Sequence, residues 1–348
     1  MAETLVDELS RSFQNHLRRT LDDRTLLVAA EFDQPVRAGT WTAVFEQGLG
    51  DVGLPRAVGG FDLSEPELAQ LFVAGGRGSL PVGAREQAVV LGPLLAELGE
   101  EHEACKEFLA GVRTGEVIGG GSGTVDGAAL RARGGSVTVE RQSVWLGPDA
   151  TVAALVGPDL AVVIDLRRPG MQLDAVESID PGQGLHHLSA TSDLVLKGDD
   201  AHRIWHRWQL ALLADVQGCA EEVLDRSLRH ASEREQFGRP IATFQAIAHR
   251  LADMHVGVTV GASALARSAA LLEDGSEETD ASLAALACWL PDRARNICEQ
   301  AIQIHGGSGF TWELGLHLFY RRILAAQATL GGKRAAARRA ASTVSVGL

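Results

Sequence analysis

The feature that most constrains this chain is a pair of helical apolar patterns that meet at a break. Apolar residues on both sides recur mostly at three- and four-residue steps, the spacing of a buried helix face. They are Leu210, Leu213, Val216, Val223, Leu224 and Leu228 before the break, and Phe244, Ile247, Leu251, Met254 and Val258 after it. Gly238 and Pro240 interrupt the pattern, because glycine accepts left-handed geometry and proline cannot continue a preceding helix. The sequence therefore predicts two long helices joined by a tight turn.

Polar side chains cluster at this predicted turn. The segment 230–249 carries Arg234, Gln236, Phe237 and Gln245, which supply a permanent cation, two amides and an aromatic ring. An arginine fork binds a phosphate or diphosphate through two parallel hydrogen bonds, and a phenylalanine offers an apolar wall to a planar group. The alternative is a solvated arginine beside a core phenylalanine, which composition alone favours.

Charge and cysteine content limit the partners of the chain. Its 348 residues include 45 acidic and 32 basic ones, and the resulting net charge of −13 disfavours binding to nucleic acid. The four cysteines are too far apart for a zinc finger or a disulfide framework, and His249 and His255 do not share a helix face, so no metal site is predicted. With no leader and no apolar run approaching a membrane span, the expected location is the cytoplasm, away from membranes.

The spacing of apolar residues in the sequence changes twice along the chain. Residues 1–112 show a four-residue apolar step and predict an N-terminal helical domain. Residues 113–200 contain short runs rich in valine, isoleucine and leucine, separated by glycine, proline and aspartate, which predict a middle β-domain. Residues 201–348 return to helical periodicity and predict a helical bundle. The predicted fold class is therefore mainly α with a central β-domain.

Two motifs in the last region resemble signatures of the acyl-CoA dehydrogenase family. The first reads Arg-Glu-Gln-Phe-Gly from Arg234, followed by Phe244 and Gln245, and the second reads Gln-Ile-His-Gly-Gly-Ser-Gly-Phe-Thr from Gln303. The resemblance implies an N-terminal helical domain, a middle β-domain and a C-terminal four-helix bundle. It also implies that both motifs contact the ADP half of an FAD seated mainly in a neighbouring subunit. The implied cofactor-binding set is Arg234, Gln236, Phe237, Gln245, Gln303 and Gly307.

The β-domain departs from that family pattern. A glycine-rich run at 118–126 replaces the usual Thr-Glu-Pro and Gly-Ser-Asp segments, and we expect it to form β-turns, with a phosphate cradle as the alternative. Trp145 retains the aromatic of the family's flavin-contacting segment, either as a relic of the flavin wall or as a core residue. Gly147 stands where the family has a threonine that hydrogen-bonds the flavin.

The family's catalytic carboxylate is also absent. Flavin-dependent α,β-dehydrogenation of a thioester requires a base that removes the α proton while the flavin accepts the β hydride. The two positions at which the family places this glutamate correspond to Leu330 and Trp208, and no acid lies between residues 201 and 214. We therefore predict no catalytic residue in this chain.

Taken together, the resemblance implies a non-catalytic subunit of an oxidoreductase. The expected assembly is an α2β2 acyl-CoA dehydrogenase of the actinobacterial type, in which this chain completes the FAD site of a catalytic partner. The implied substrate is an acyl-CoA, such as a sterol side-chain thioester in steroid degradation, and the implied electron acceptor is electron-transfer flavoprotein. Two alternatives stay open: an active homo-oligomeric dehydrogenase with a relocated base, and an FAD-free scaffold with the same fold.

Overall fold

A computed structural model describes residues 5–21, 25–26, 38–125, 130–180 and 183–345. Among the described residues, the α-helices whose bounds are known before the sheet are α1 (Leu5–Thr20), α2 (Ala38–Phe45), α3 (Glu65–Arg77), α4 (Val82–Glu86), α5 (Gly92–Leu98) and α6 (Glu103–Thr114). A π-helical turn at Gln87–Leu91 joins α4 to α5. The end of the glycine-rich run at Asp126 lies outside the described residues.

Eight strands form the middle of the chain. They are β1 (Gly120–Gly123), β2 (Leu130–Arg133), β3 (Ser136–Leu146), β4 (Val152–Val156), β5 (Leu160–Asp165), β6 (Gln172–Ala175), β7 (Leu185–Ser192) and β8 (Val195–Lys197). Seven of them follow the order β6-β7-β3-β1-β4-β5-β8, and β2 pairs with β3. The pairing of β1 with β4 is parallel and the other pairings are antiparallel. The structure therefore has the predicted central sheet.

The glycine-rich run was expected to form β-turns, and that expectation is wrong. Gly120–Gly123 form β1, which lies between β3 and β4 in the sheet. The glycines are needed because neighbours approach very closely. A Cβ atom at Gly120 would lie 2.1 Å from the carbonyl oxygen of Trp145, and one at Gly123 would lie 2.3 Å from the Trp208 ring.

The C-terminal region is built from long helices. They are α7 (Asp199–Glu233), α8 (Gln245–Glu273), α9 (Thr279–His305), α10 (Leu316–Thr329) and α11 (Gly332–Ser345). Helices α7 to α10 pack together as the expected bundle, and α11 packs on α9. Secondary structure changes from helix to strand between residues 114 and 120 and back between residues 197 and 199, close to the domain limits proposed from the sequence.

One hydrophobic core joins the two helical regions to one face of the sheet. Phe72 on α3, Trp208 on α7 and Val156 on β4 all belong to it and are nearly inaccessible to solvent. Alternate residues of a strand point to opposite faces, so Leu155 belongs to a smaller second core on the other face of the sheet. The helical regions and the sheet are therefore packed as one body around α7.

Charged side chains are also buried where α4, α7 and α10 meet. The Arg322 guanidinium donates to Asp215 over 2.7 and 2.8 Å, and Arg85 lies 3.1 Å from the same carboxylate. Arg85 also donates to Glu86 over 2.5 Å. All four residues are at most 4% exposed. This buried ion cluster ties the N-terminal helices to the bundle.

Helix α8 is the described helix with the most apolar outer surface. By length and composition it could cross a membrane, and 33% of its apolar window is buried. A single helix of this kind is weak evidence of a membrane span. The expectation that no apolar run approaches a span is therefore wrong for α8. Val256 is 58% exposed and Val260 is 47% exposed, so part of this apolar surface faces outward.

Candidate FAD-binding site

The predicted tight turn between α7 and α8 is a small β-hairpin. Strands β9 (Glu235–Gln236) and β10 (Arg239–Pro240) pair in an antiparallel arrangement, and a short 3-10 turn then leads into α8. The two residues between the strands, Phe237 and Gly238, have φ angles of 53° and 76°. Positive φ at both positions is the requirement of a type I′ turn, which matches the twist of paired strands.

Phe237 occupies an unfavourable position for a side chain of its size. Left-handed geometry costs a residue with a Cβ atom roughly 1–2 kcal/mol, yet the ring of Phe237 is 93% exposed. Its aromatic neighbour is Phe244, whose ring centroid lies 6.1 Å away in an edge-on arrangement. Backbone strain that presents an exposed aromatic ring is typical of a binding element.

The polar side chains predicted to bind the cofactor surround this ring. Arg234, Gln236 and Gln245 are all exposed. The Arg239 guanidinium lies 4.3 Å from the centre of the Phe244 ring, so Arg239 is already engaged by a cation–π contact. Among the described residues, none forms a hydrogen bond or an ion pair with the Arg234 side chain, so this guanidinium is accessible to an anion.

The second predicted motif lies at the same end of the bundle. The His305 ring at the end of α9 stacks on His230 near the end of α7, with ring centroids 4.2 Å apart. Arg250 near the start of α8 donates a hydrogen bond to Gln300. Since α8 begins where α9 ends, Gln245 and Gln303 face the same side of the molecule.

The glycines of the second motif leave open space. A Cβ atom at Gly306 or Gly307 would meet no atom within 4 Å, and Gly306 has a φ of 62°. Gln303 and Gly307 are exposed, whereas His305 is 7% exposed and its Nδ1 lies 2.8 Å from the carbonyl oxygen of Ala301. Burial lowers the pKa of His305. His305 is thus a packing residue, and the backbone beside it is accessible.

A separate cavity of about 290 Å³ lies between the sheet and α10. Strands β1, β3 and β7, the segment 177–179 and helix α10 line it, with residues that include Ser122, Gln142, Trp145, Glu177, Ala325 and Thr329. Trp145 is 4% exposed and packs with Val82 and Ala325. The tryptophan of the segment that resembles the family's flavin-contacting segment therefore lines this cavity.

Tight packing explains why glycine occupies position 147 beside that cavity. A Cβ atom at Gly147 would lie 2.4 Å from Cγ2 of Ile118 and 2.7 Å from Cη2 of Trp41. Trp41 itself is 1% exposed, so its ring has little room to move. A threonine that reaches a flavin cannot be introduced here without repacking the core.

Both positions that would hold the family's catalytic glutamate are buried and apolar. Trp208 is fully buried and Leu330 is 1% exposed. The Trp208 ring packs against Gly123 of the central strand, and Leu330 caps the end of α10. Glu177 lines the cavity, and the buried Asp180, which is 4% exposed, follows the lining residue Ile179 in the chain.

The exposed residues Arg234, Gln236, Phe237 and Gln245, called the hook below, lie at one end of α7. The cavity lies towards the other end of this helix. Trp208 packs beside the cavity-lining Gly123, whereas Arg234 follows the last turn of the helix. At 1.5 Å per residue, the helix between positions 208 and 234 is about 39 Å long.

The fold and the two motifs define a class of protein, and comparison with known sequences agrees. Residues 205–343 match the acyl-CoA dehydrogenase C-terminal domain. The acyl-CoA dehydrogenase IpdE2 of Mycolicibacterium smegmatis is 35% identical over 131 residues, which are 37% of this chain and 40% of the relative. The acyl-CoA dehydrogenase FadE34 of Mycobacterium tuberculosis is 29% identical over 367 residues, which span 100% of this chain and 49% of the relative.

Solved structures share the whole fold. The ChsE4–ChsE5 complex from Mycobacterium tuberculosis has a TM-score of 0.84 at 19% identity, over 99% of this chain and 98% of the matched one. The Tcur3481–Tcur3483 steroid ACAD G363A variant has a TM-score of 0.83 at 22% identity, over 98% of each chain. Residues 205–343 are therefore similar to the C-terminal domain of acyl-CoA dehydrogenases, and the fold of the chain is that of the solved structures. It spans about half or less of the length of the first curated relatives that it matches.

A further cluster was missed by the sequence analysis. His202 and His206 lie one turn apart on α7, and Asp280 lies in the first turn of α9. Their ligand atoms are all within 4.8 Å of one another. The histidine pair carries a recognisable i, i+4 spacing, but its carboxylate is 74 residues away from His206, and no sequence pattern links the two.

Proposed function

We propose that this chain is the non-catalytic subunit of a heteromeric, FAD-dependent acyl-CoA dehydrogenase. In this proposal Arg234, Gln236, Phe237, Gln245, Gln303 and Gly307 bind the ADP half of an FAD whose ring lies in a catalytic partner. When bound there, the flavin accepts hydride from the acyl-CoA, and the partner supplies the base. The observation that carries the proposal is the exposed hook at one end of α7. It is separated from Trp208, which packs beside the cavity, by about 39 Å of helix.

The chemistry of the hook fits the group it would hold. Arg234 is exposed and can pair with a diphosphate through its two-pronged guanidinium. The Phe237 ring projects into solvent, where it can pack on a planar base. Open space beside Gly306 and Gly307 allows a ligand to approach the backbone. The side chains of Arg234 and Phe237 do not pack into the hydrophobic core of this chain. Their exposure is therefore better explained by binding to a ligand or a partner.

The outer face of α8 supports an assembly. This helix starts inside the hook at Gln245 and carries the exposed Val256 and Val260 farther along. An apolar strip continuous with a cofactor site is suited to a subunit interface, because assembly would bury it and complete the site together. A partner docked along α8 would bring its own FAD towards Arg234.

The proposed substrate is a steroid-type side-chain CoA thioester, with electron-transfer flavoprotein as acceptor. The support is the shared fold with a steroid ACAD and with the ChsE4–ChsE5 complex, together with the similarity to IpdE2 and FadE34. A cytoplasmic location also stays a prediction. The cavity beside Trp145 does not select a substrate, since the proposal assigns the acyl pocket to the partner.

Co-expression with a catalytic acyl-CoA dehydrogenase chain, sought among neighbouring genes, tests this proposal. We expect the two chains to co-purify as a complex with equal amounts of each, and we expect acyl-CoA oxidation by the complex but not by this chain alone. Activity of the isolated chain would favour the homo-oligomeric alternative. A stable complex without FAD would favour the scaffold.

Two substitutions at Phe237 separate its role in binding from its backbone strain. Phe237→Ala and Phe237→Gly both remove the ring, and we expect each to weaken FAD binding by the mixed complex roughly tenfold, as for loss of a base-stacking contact. In contrast, the isolated Phe237→Gly chain should be more stable than Phe237→Ala by about 1 kcal/mol, because alanine keeps the strained φ. FAD titration and urea unfolding measure the two effects. Unchanged FAD affinity in both variants would remove Phe237 from the site.

Asp180 is the acid that the homo-oligomeric alternative would use. Asp180 directly follows residues that line the cavity beside Trp145. Within the described structure its Oδ2 has no hydrogen-bond partner. Burial raises the pKa of Asp180 to about 7, a value suited to a general base. Turnover by the isolated chain that disappears in Asp180→Asn would establish this alternative.

The same shift makes a stability prediction that holds under either function. A raised folded-state pKa means that the native chain keeps a proton which the unfolded chain releases, so stability falls as pH rises from about 4 to about 7. Asp180→Asn should therefore stabilise the chain at pH 8 by up to about 4 kcal/mol, and the gain should vanish towards pH 4. Urea unfolding across this range measures it, with the exposed Asp193→Asn as control. A gain independent of pH would contradict the assignment.

A further inference from the structure

The cluster of His202, His206 and Asp280 has the geometry of a metal-binding site. Nε2 of His206 lies 2.7 Å from Oδ1 of Asp280, and Nε2 of His202 lies 3.8 Å from Oδ2 of the same carboxylate. The two imidazole rings meet edge to face with centroids 4.2 Å apart. Two histidines at i and i+4 present their nitrogens on one helix face, and a third ligand comes from the facing helix.

The hydrogen bond on the far side of His202 fixes its tautomer. Nδ1 of His202 lies 2.7 Å from the carbonyl oxygen of Pro158, which can only accept, so Nδ1 carries the proton. In the neutral ring the Nε2 lone pair then faces the carboxylate of Asp280. A lone pair on Nε2 beside a carboxylate oxygen at 3.8 Å is the arrangement of two ligand atoms that share one metal ion. A carbonyl that orients a histidine in this way is the usual outer-shell partner of a metal ligand.

The surroundings favour a cation. The cluster lines a cavity of about 550 Å³ together with Asp199, Asp200, Arg203, Glu273 and Glu277. Four acids besides Asp280 therefore face one arginine in this cavity, and Arg339 acts on Asp280 from α11. A cavity with this excess of carboxylates favours a bound cation.

We propose that His202, His206 and Asp280 bind one Zn²⁺ ion. Two imidazoles and one carboxylate are a common ligand set for zinc with three protein ligands, and the cavity leaves the fourth position to water. The ion would join α7 to α9 and, through His202, to the turn between β4 and β5 at Pro158. It would therefore clamp the sheet against the bundle, far from the FAD hook at the other end of α7.

Zinc titration of the metal-free full-length chain, in competition with a chromophoric chelator, tests this site. We expect one equivalent of Zn²⁺ to bind and to raise the thermal unfolding midpoint. His202→Gln and Asp280→Asn should each weaken binding at least about tenfold. His187→Gln, on β7 away from the cluster, is the matched control and should bind zinc as the unaltered chain does. Cobalt substitution should give the visible d–d bands of a nitrogen and oxygen ligand set.

The outcomes are decisive without any activity measurement. If the unaltered chain takes up less than one tightly held equivalent, or if both cluster variants bind as the unaltered chain does, the proposal is wrong. Equal loss of binding in His187→Gln would also overturn it, since the ion would then be held elsewhere. His202 is partly exposed and accepts glutamine at the surface, so circular dichroism should show a folded variant. This test is independent of the proposed FAD role.

Discussion

Arg234→Ala should strip FAD from the mixed complex while leaving the isolated chain folded. The side chain is exposed and lies outside both hydrophobic cores, so its loss removes no packing. A bidentate, charge-assisted pair with a diphosphate is worth roughly 1.5–3 kcal/mol, and its loss corresponds to about 10- to 100-fold weaker FAD binding. Fluorescence titration of the cofactor-free complex with FAD measures the change.

Arg267→Ala is the matched control for this experiment. Arg267 lies on α8, 22 residues along the helix from Gln245. Its side chain is exposed and pairs with Glu278. Its loss should leave FAD affinity unchanged and should alter stability by less than about 1 kcal/mol. Normal FAD affinity in Arg234→Ala would remove the main residue from the site. Equal loss in both variants would instead indicate a general effect of charge.

Asp215→Ala should be among the most destabilising single substitutions in this chain. Asp215 is 1% exposed and accepts from Arg322 while lying 3.1 Å from Arg85. Removing it takes from both buried guanidinium groups the carboxylate that they share, and an uncompensated buried charge costs about 3–5 kcal/mol. Urea unfolding monitored by circular dichroism measures the loss.

Asp225→Ala supplies the comparison on the same helix. Asp225 pairs with Arg77, but its side chain is 47% exposed, so the loss should be below about 1 kcal/mol. The double variant Asp215→Ala/Arg322→Met should cost less than the sum of the two single changes, because the arginine left unpaired by the first is removed by the second. Additive losses would show that the buried cluster does not act as a unit.

Local patterns in the sequence predicted the fold well where burial is periodic. The apolar steps from Leu210 to Val258 gave the helices on either side of the hairpin, and the valine-rich runs at 151–156 and 160–166 gave β4 and β5. The glycine-rich run failed for a physical reason. Local preference predicts turns there, but β1 needs glycine because Trp145 and Trp208 approach its backbone at distances that exclude a Cβ atom.

The candidate sites show a similar division. The motifs around Arg234 and Gln303 predicted which residues bind the cofactor. The periodicity of the sequence does not reveal that Phe237 projects from a strained hairpin and is 93% exposed. Nor does it show why Gly147 replaces a threonine, since the contacts with Ile118 and Trp41 come from distant parts of the chain. Such properties arise when the elements pack together.

The flavin content of this chain, alone and in complex, tests the central claim most directly. The measurement is FAD per chain, from absorbance after denaturation, for the isolated protein and for the co-expressed pair. We predict almost no FAD on the isolated chain and stoichiometric FAD in the mixed complex, lost in Arg234→Ala and kept in Arg267→Ala. One FAD per chain in the isolated protein, reduced on addition of an acyl-CoA, would contradict the account.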